Sequence, residues 1–196
     1  MKQFTLTIFL FLGTALTTFG QDAYLDKGNS YLNNGQLDKA EQTFRDGIQS
    51  DSTKLIYQCQ LGLALMQEKK YAEAEQVLDQ VLKKDPNNIA ATWYSGIDHF
   101  YNAQDRQAIK RFEKALTFLD KQSGQYYSAN WFIGKCYSNL LKTDGLTYAE
   151  ADRMFECYEV YIKLQPNAED TEQVKKYVEE KTLDEEETDS YFDSQQ

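Results

Sequence analysis

A thirty-four-residue step runs through the first two thirds of the chain and constrains the fold more than any other feature. Gly28, Gly62 and Gly96 follow one another at this step, and Ala40, Ala74 and Ala108 keep it, twelve positions after each glycine. Phe44, Leu78 and Phe112 follow four positions after each alanine, and Gly47, Val81 and Ala115 three positions later. A glycine inside a helix costs about 1 kcal/mol relative to alanine, so its recurrence needs a reason, and close approach of a second helix supplies one. The other three columns fall at i, i+4 and i+7, one stripe of that second helix. Turn residues separate the two stripes: Asn34-Gly35, then Glu68-Lys69-Lys70, then Asn102 to Asp105. The run Asp85-Pro86-Asn87-Asn88 closes the second unit, because proline cannot continue a helix. Each unit is therefore a helix, a tight turn and a helix, and periodic units of this size stack into a solenoid.

A fourth unit has altered spacing, which reads as a longer turn between its two helices. Gly134 breaks the step, coming thirty-eight positions after Gly96, and Ala151 follows it by seventeen positions instead of twelve. Thr147 and Glu150 form a T-x-x-E capping box that starts its second helix, and Ala151, Phe155 and Tyr158 are expected to repeat the stripe. Pro166 ends that helix. Asn167 is expected to cap a last helix over 168–182, whose Val174, Tyr177 and Val178 give a narrow apolar face. Its exposed charges suit a terminal cap, which a solenoid needs for solubility.

The columns resemble the tetratricopeptide repeat, whose unit carries aromatic, Leu-Gly, Tyr, Ala, Phe, Ala and Pro positions. Residues 55–88 match best, with Leu61-Gly62, Leu65, Tyr71, Ala74, Leu78 and Pro86, and residues 21–54 add Tyr24, Gly28, Tyr31, Ala40 and Phe44. Residues 89–122 depart more, with Ser95 before the glycine and His99 where tyrosine is usual. The expected fold is all-α, a right-handed superhelical stack of antiparallel helix pairs. Its units are 21–54, 55–88, 89–122 and 127–166, with a capping helix over 168–182.

Both ends lie outside this pattern. Residues 1–20 have the layout of a secretory signal: Lys2, then the apolar stretch Phe4 to Leu16, then small residues before a cut after Gly20. The stretch is too short to cross a bilayer, which needs about 20 apolar residues. The expectation is a periplasmic or secreted protein with no stable membrane insertion after cleavage. Removing residues 1–20 takes the formal charge from −10 to −11, because Lys2 is the one charge lost. That charge argues against nucleic acid and anionic membranes as partners. Residues 183–196 are rich in Asp and Glu, with no basic residue, and read as a disordered tail.

In a stack of helix pairs the first helices line an inner surface, where such proteins bind. The positions three before, one after and four after each glycine give a groove of Leu25, Asn29 and Leu32, then Cys59, Leu63 and Met66. They continue as Trp93, Ile97, Phe100 and neighbouring Tyr101, then Trp131, Lys135 and Ser138. Of these, Cys59, Leu63, Met66, Trp93, Ile97, Phe100, Tyr101 and Trp131 form an apolar, aromatic middle. Two readings of Trp93 and Trp131 stand: groove residues, or core between neighbouring first helices. The family members that clamp acidic carboxyl-terminal peptides use basic and amide residues at groove positions. Here Leu25, Asn33, Cys59, Leu63 and Gln67 stand there, and Asn29 alone matches.

Chemistry has little to stand on. The chain has no Gly-rich phosphate loop after a strand, no H-E-x-x-H and no G-x-S-x-G. His99, the single histidine, falls on the internal stripe and reads as core. Carboxylates such as Glu73 and Glu75 read as solvated helix faces. Cys59, Cys136 and Cys157 lack metal-site spacing; Cys136 and Cys157 are the one pair that could bridge, and the expectation for all three is burial as small apolar residues. The expected function is a non-enzymatic adaptor without cofactor or metal, binding a protein or peptide. The alternative is an exported binder of glycans or small ligands, since aromatic faces also stack on sugars.

Overall fold

The computed structural model describes residues 22–180. The signal at 1–20 and the acidic tail at 183–196 lie outside the described residues. The described chain is all-α, with no strand, and no helix among the described residues is long and apolar enough to cross a membrane. It forms two compact units that part between Asn102 and Ala103.

The N-terminal unit holds α1 (Ala23–Asn33), α2 (Leu37–Ser50), α3 (Leu55–Gln67), α4 (Tyr71–Lys84) and α5 (Ile89–Tyr101), each packed on the next in chain order. Starts and stops are local. Asp22 caps α1 by accepting from the Leu25 amide at 3.3 Å, and Asn88 caps α5 by accepting from the Ala91 amide at 3.0 Å. The α1–α2 and α3–α4 turns reverse through left-handed residues, Gly35 at φ 68° and Lys69 at φ 62°. In each, the following amide reaches back five positions, Gln36 to the Tyr31 carbonyl at 2.9 Å and Lys70 to the Leu65 carbonyl at 2.8 Å, the Schellman bond that satisfies a helix end.

The glycine column does what its spacing requires. A Cβ on Gly28 would run into the Phe44 ring, and one on Gly62 would lie 2.7 Å from Leu78 Cδ2. Ala40, Phe44, Ala74, Leu78 and Val81 have no exposed surface, so the stripe of the second helix is the core of each pair. Helix α3 packs against α2, α4 and α5, and every residue from Tyr57 to Met66 is buried. A helix covered on all sides is largely apolar, and α3 supplies Leu61, Leu63, Ala64, Leu65 and Met66 beside the buried Gln58 and Gln60.

The C-terminal unit holds α6 (Asp105–Leu116), α7 (Gly124–Thr143), α8 (Tyr148–Leu164) and a ninth helix, α9, over 171–180. Ser123 caps α7, and the expected Thr147–Glu150 box opens α8, with the Glu150 amide 3.3 Å from Thr147 Oγ1 and the Thr147 amide 2.9 Å from Glu150 Oε2. Phe112 of α6 stacks on Phe132 of α7, ring centres 4.8 Å apart and planes at 4°.

The fourth helix pair differs from its sequence expectation. The stripe facing Gly134 is Met154, Tyr158 and Tyr161, all buried, whereas Ala151 and Phe155 are only half-buried. A Cβ on Gly134 would lie 2.6 Å from Tyr158 Cε1. The partner of the glycine thus comes twenty-four positions later, against sixteen for Gly28–Phe44 and Gly62–Leu78. The added length is mostly helical: relative to the α3–α4 pair, α7 runs four positions further past its glycine and α8 starts three positions earlier before its partner. Beyond α8, residues 166–170 are turn and bend, and α9 begins after Asp170 instead of after Asn167.

Candidate functional site

The N-terminal unit carries an apolar cleft of about 200 Å³, lined by Leu63, Met66, Gln67, Lys69, Tyr71, Ile97 and Tyr101. It is built from the last turns of α3 and α5 and the first residue of α4. Leu63 and Met66 stand three apart on one face of α3, and Ile97 and Tyr101 stand four apart on one face of α5, so each helix offers a short apolar ridge. Leu63, Met66 and Ile97 are buried and make the floor, while Tyr101 is 46% exposed and Lys69 is exposed, which makes them rim. Burial, together with the nearby Tyr71, pushes the Tyr101 hydroxyl above its ordinary value, so it is a neutral hydrogen-bonding group at physiological pH.

Four of the eight expected groove residues, Leu63, Met66, Ile97 and Tyr101, line this cleft. Phe100 is half-buried beside it, edge-on to Tyr101 with ring centres 5.4 Å apart. Cys59 is 1% exposed and its thiol donates to Asn88 Oδ1 at 3.5 Å, so it faces the start of α5 and not the cleft. Trp93 is 8% exposed and is not part of the cleft lining. Trp131 belongs to the C-terminal unit and is half-buried there, packed on the Met154, Tyr158, Tyr161 and Val174 cluster. Its indole Nε1 donates to Asp170 Oδ2 at 2.8 Å, which ties α7 to the start of α9. The core reading of Trp131 is the one its surroundings fit, because a half-buried indole N–H needs a partner and Asp170 provides it.

Sequence reasoning did not place Lys69 and Tyr71 at the site. The signal was available in the turn column: Gly35, Lys69 and Ala103 follow the same step as the glycines and all have positive φ, at 68°, 62° and 56°. That shared turn fixes where the second helix starts, and therefore brings Tyr71, its first residue in the second pair, up against the end of α3.

Cys59, Cys136 and Cys157 are free and buried. Burial pushes Cys59 and Cys157 up to about 12 and raises Cys136 as well, so none forms a reactive thiolate near neutral pH.

The tetratricopeptide repeat family model matches residues 25–89 and, overlapping, 59–121. Residues 25–121 are tetratricopeptide repeats. The "TPR repeat-containing protein MJ1428" of Methanocaldococcus jannaschii is 24% identical over 168 residues, a match covering 74% of this chain and 30% of that protein. The chain thus spans under a third of this curated relative. Among solved structures, MamA 41-end from Desulfovibrio magneticus RS-1 is similar, with a TM-score of 0.69 at 18% identity over 88% of this chain and 90% of that one. A second MamA crystal structure has a TM-score of 0.67 at 20% identity over 87% of each chain. At these identities the likeness shows the fold: an all-α solenoid of tetratricopeptide-type helix pairs.

Proposed function

We propose that this protein is a non-enzymatic interaction adaptor whose N-terminal tetratricopeptide repeats hold a peptide or helix of a protein partner. The observation that carries this reading is the cleft between the ends of α3 and α5, with its buried floor of Leu63, Met66 and Ile97 and its exposed Tyr101 rim. At about 200 Å³ it is smaller than the roughly 300–1,000 Å³ of small-molecule pockets. That size suits one large apolar side chain inserted as an anchor from a longer segment, as in helix-in-groove recognition. An aromatic rim residue beside an apolar pocket is the composition that concentrates binding energy at protein interfaces. The same size weighs against the glycan reading. The chain is exported in this proposal, and the supporting feature is the signal-like stretch at 1–20 with its cut after Gly20.

The test is a peptide-display selection on the mature chain, followed by affinity measurement on Tyr101→Ala and on Tyr148→Ala. Tyr148 is 82% exposed in the C-terminal unit and serves as control. The expected outcome is enriched peptides with one recurring large apolar residue, whose affinity falls at least about tenfold in Tyr101→Ala, the scale of a hot-spot loss, and is unchanged in Tyr148→Ala. Peptides that bind both variants as well as the parent would refute the cleft, and a glycan-array hit competing at Tyr101 would favour the alternative. Intact-mass measurement of the cellular protein tests export: Gln21 at the amino terminus is expected, and a soluble species retaining Met1 to Gly20 would contradict it.

A further inference from the structure

The cluster of Glu75, Asp98 and His99 is absorbed by neither the repeat packing nor the cleft. Asp98 has no exposed surface, and neither of its carboxylate oxygens has a hydrogen-bond partner. A buried carboxylate without partners is strongly unfavourable, and the charged group facing it is another carboxylate, that of Glu75. His99 beside it is 3% exposed, and Glu75 on α4 is half-buried. One carboxylate oxygen from each acid and one imidazole nitrogen lie within 4.8 Å of one another. Sequence reasoning assigned Glu75 to a solvated face and His99 to the core. Helices α4 and α5 bring them to the same buried carboxylate.

We propose that Glu75, Asp98 and His99 bind a divalent first-row transition cation, with Zn²⁺ as the type. The donor set decides the class. One imidazole and two carboxylates suit Zn²⁺, Mn²⁺ or Fe²⁺, whereas Ca²⁺ takes six to eight oxygens. Bonds of about 2.0–2.2 Å to a tetrahedral ion separate the donors by about 3.3–3.6 Å, so the three side chains need to close by about an ångström. Glu75, partly exposed and on a flexible stem, can make most of that movement. The ion replaces the missing partner of Asp98 and offsets the repulsion between the two carboxylates. Because Glu75 is on the second helix of one pair and Asp98 and His99 are on the first helix of the next, it clips α4 to α5. Three protein ligands leave one position for water. Tyr71 lies one helical turn before Glu75, and Tyr101 three positions after Asp98, so the clip stands one turn below the cleft along both helices. The site does not depend on the cleft being a binding surface.

The test uses the full mature chain stripped of metal, with Zn²⁺ and Co²⁺ as the probes. Asp98→Asn keeps the shape of the side chain and removes the buried charge, so its metal-free melting temperature is expected at or above that of the parent; loss of binding in this variant is then not unfolding. Glu75→Gln is the second variant. The parent is expected to take up one Zn²⁺ per chain with a rise in melting temperature, to show the visible d–d absorption of bound Co²⁺, and to shift the ¹⁵N imidazole resonances of its single histidine. Both variants are expected to lose at least about tenfold in Zn²⁺ affinity, a change of the size that altering a metal's ligand environment produces. A parent that binds neither ion overturns the proposal. So does Zn²⁺ binding that both variants retain, or that leaves the His99 imidazole unmoved, since the ion would then sit elsewhere, as on the acidic residues of 184–193.

Discussion

Replacing Gly62 by alanine separates helix propensity from helix packing. In an open helix interior the change stabilises by about 1 kcal/mol. Here the new Cβ would sit 2.7 Å from Leu78 Cδ2 and 2.8 Å from Leu78 Cγ, against about 3.5–4.0 Å for a comfortable carbon contact. Leu78 has no exposed surface, so it cannot swing into solvent, and α3 and α4 must part by about an ångström or Leu78 must leave its rotamer. Overpacking of this kind costs about 1–3 kcal/mol, so set against the propensity gain the change is expected to cost up to about 2 kcal/mol net. Urea unfolding followed by circular dichroism measures it. The decisive comparison is with Leu78→Ala, which alone should cost about 2–5 kcal/mol by opening a cavity. In that background the methyl added at position 62 has room, and Gly62→Ala should become neutral or stabilising, a coupling of about 1–3 kcal/mol. Stabilisation by Gly62→Ala in the parent, or an equal cost in both backgrounds, would refute the reading of the glycine column as a helix-contact column.

Three further outcomes follow from particular contacts. Glu150 is held down at about 2, first by the Thr147 amide and then by Arg106 and the Thr147 hydroxyl; a carboxylate lowered on folding stabilises fully above its unfolded value and loses that contribution as pH falls through the folded one. The stability difference between the parent and Glu150→Gln should therefore be full at about pH 6 and shrink between about pH 4.5 and 2, and an unchanged difference across an acid titration would contradict the capping box. Gly35→Ala should cost about 1 kcal/mol, because its φ of 68° disfavours a Cβ, while Lys69→Gly at φ 62° should be neutral or stabilising; thermal melts that reverse this order would argue against the shared turn. Asp170→Ala removes acceptors for Trp131 and Tyr161 and should cost about 2–4 kcal/mol with a red shift of tryptophan emission, whereas an unshifted spectrum would mean the indole is not held there.

The α1–α2 and α3–α4 pairs were legible because their contacts are local and periodic: the residues that fill the notches of Gly28 and Gly62 lie sixteen positions on, within the same pair, and the repeat step exposes them. The fourth pair was legible only in part. Its capping box marks the start of α8, but Ala151 mimics the alanine column while Met154 occupies the place that the longer α7 creates. Nothing in the one-dimensional spacing distinguishes a longer turn from a longer helix. For the site, Leu63, Met66, Ile97 and Tyr101 followed from helical rotation. Cys59 and Trp131 did not, because rotation gives a direction but not what covers it: Asn88 lies over the first and Asp170 over the second. The Glu75–Asp98–His99 cluster was illegible for the same reason, since its members come from different repeats and meet only once α4 and α5 are packed.

The measurement that bears most directly on the cleft uses the methionines. Beyond Met1 the chain has two, Met66 in the cleft floor and Met154 in the C-terminal core, so a ¹³C-methyl methionine spectrum of the mature chain has one reporter for each unit. Titration with a display-selected peptide is expected to shift and saturate the Met66 methyl at the affinity measured independently, leaving Met154 in place. Saturable binding that leaves Met66 unmoved would contradict the account.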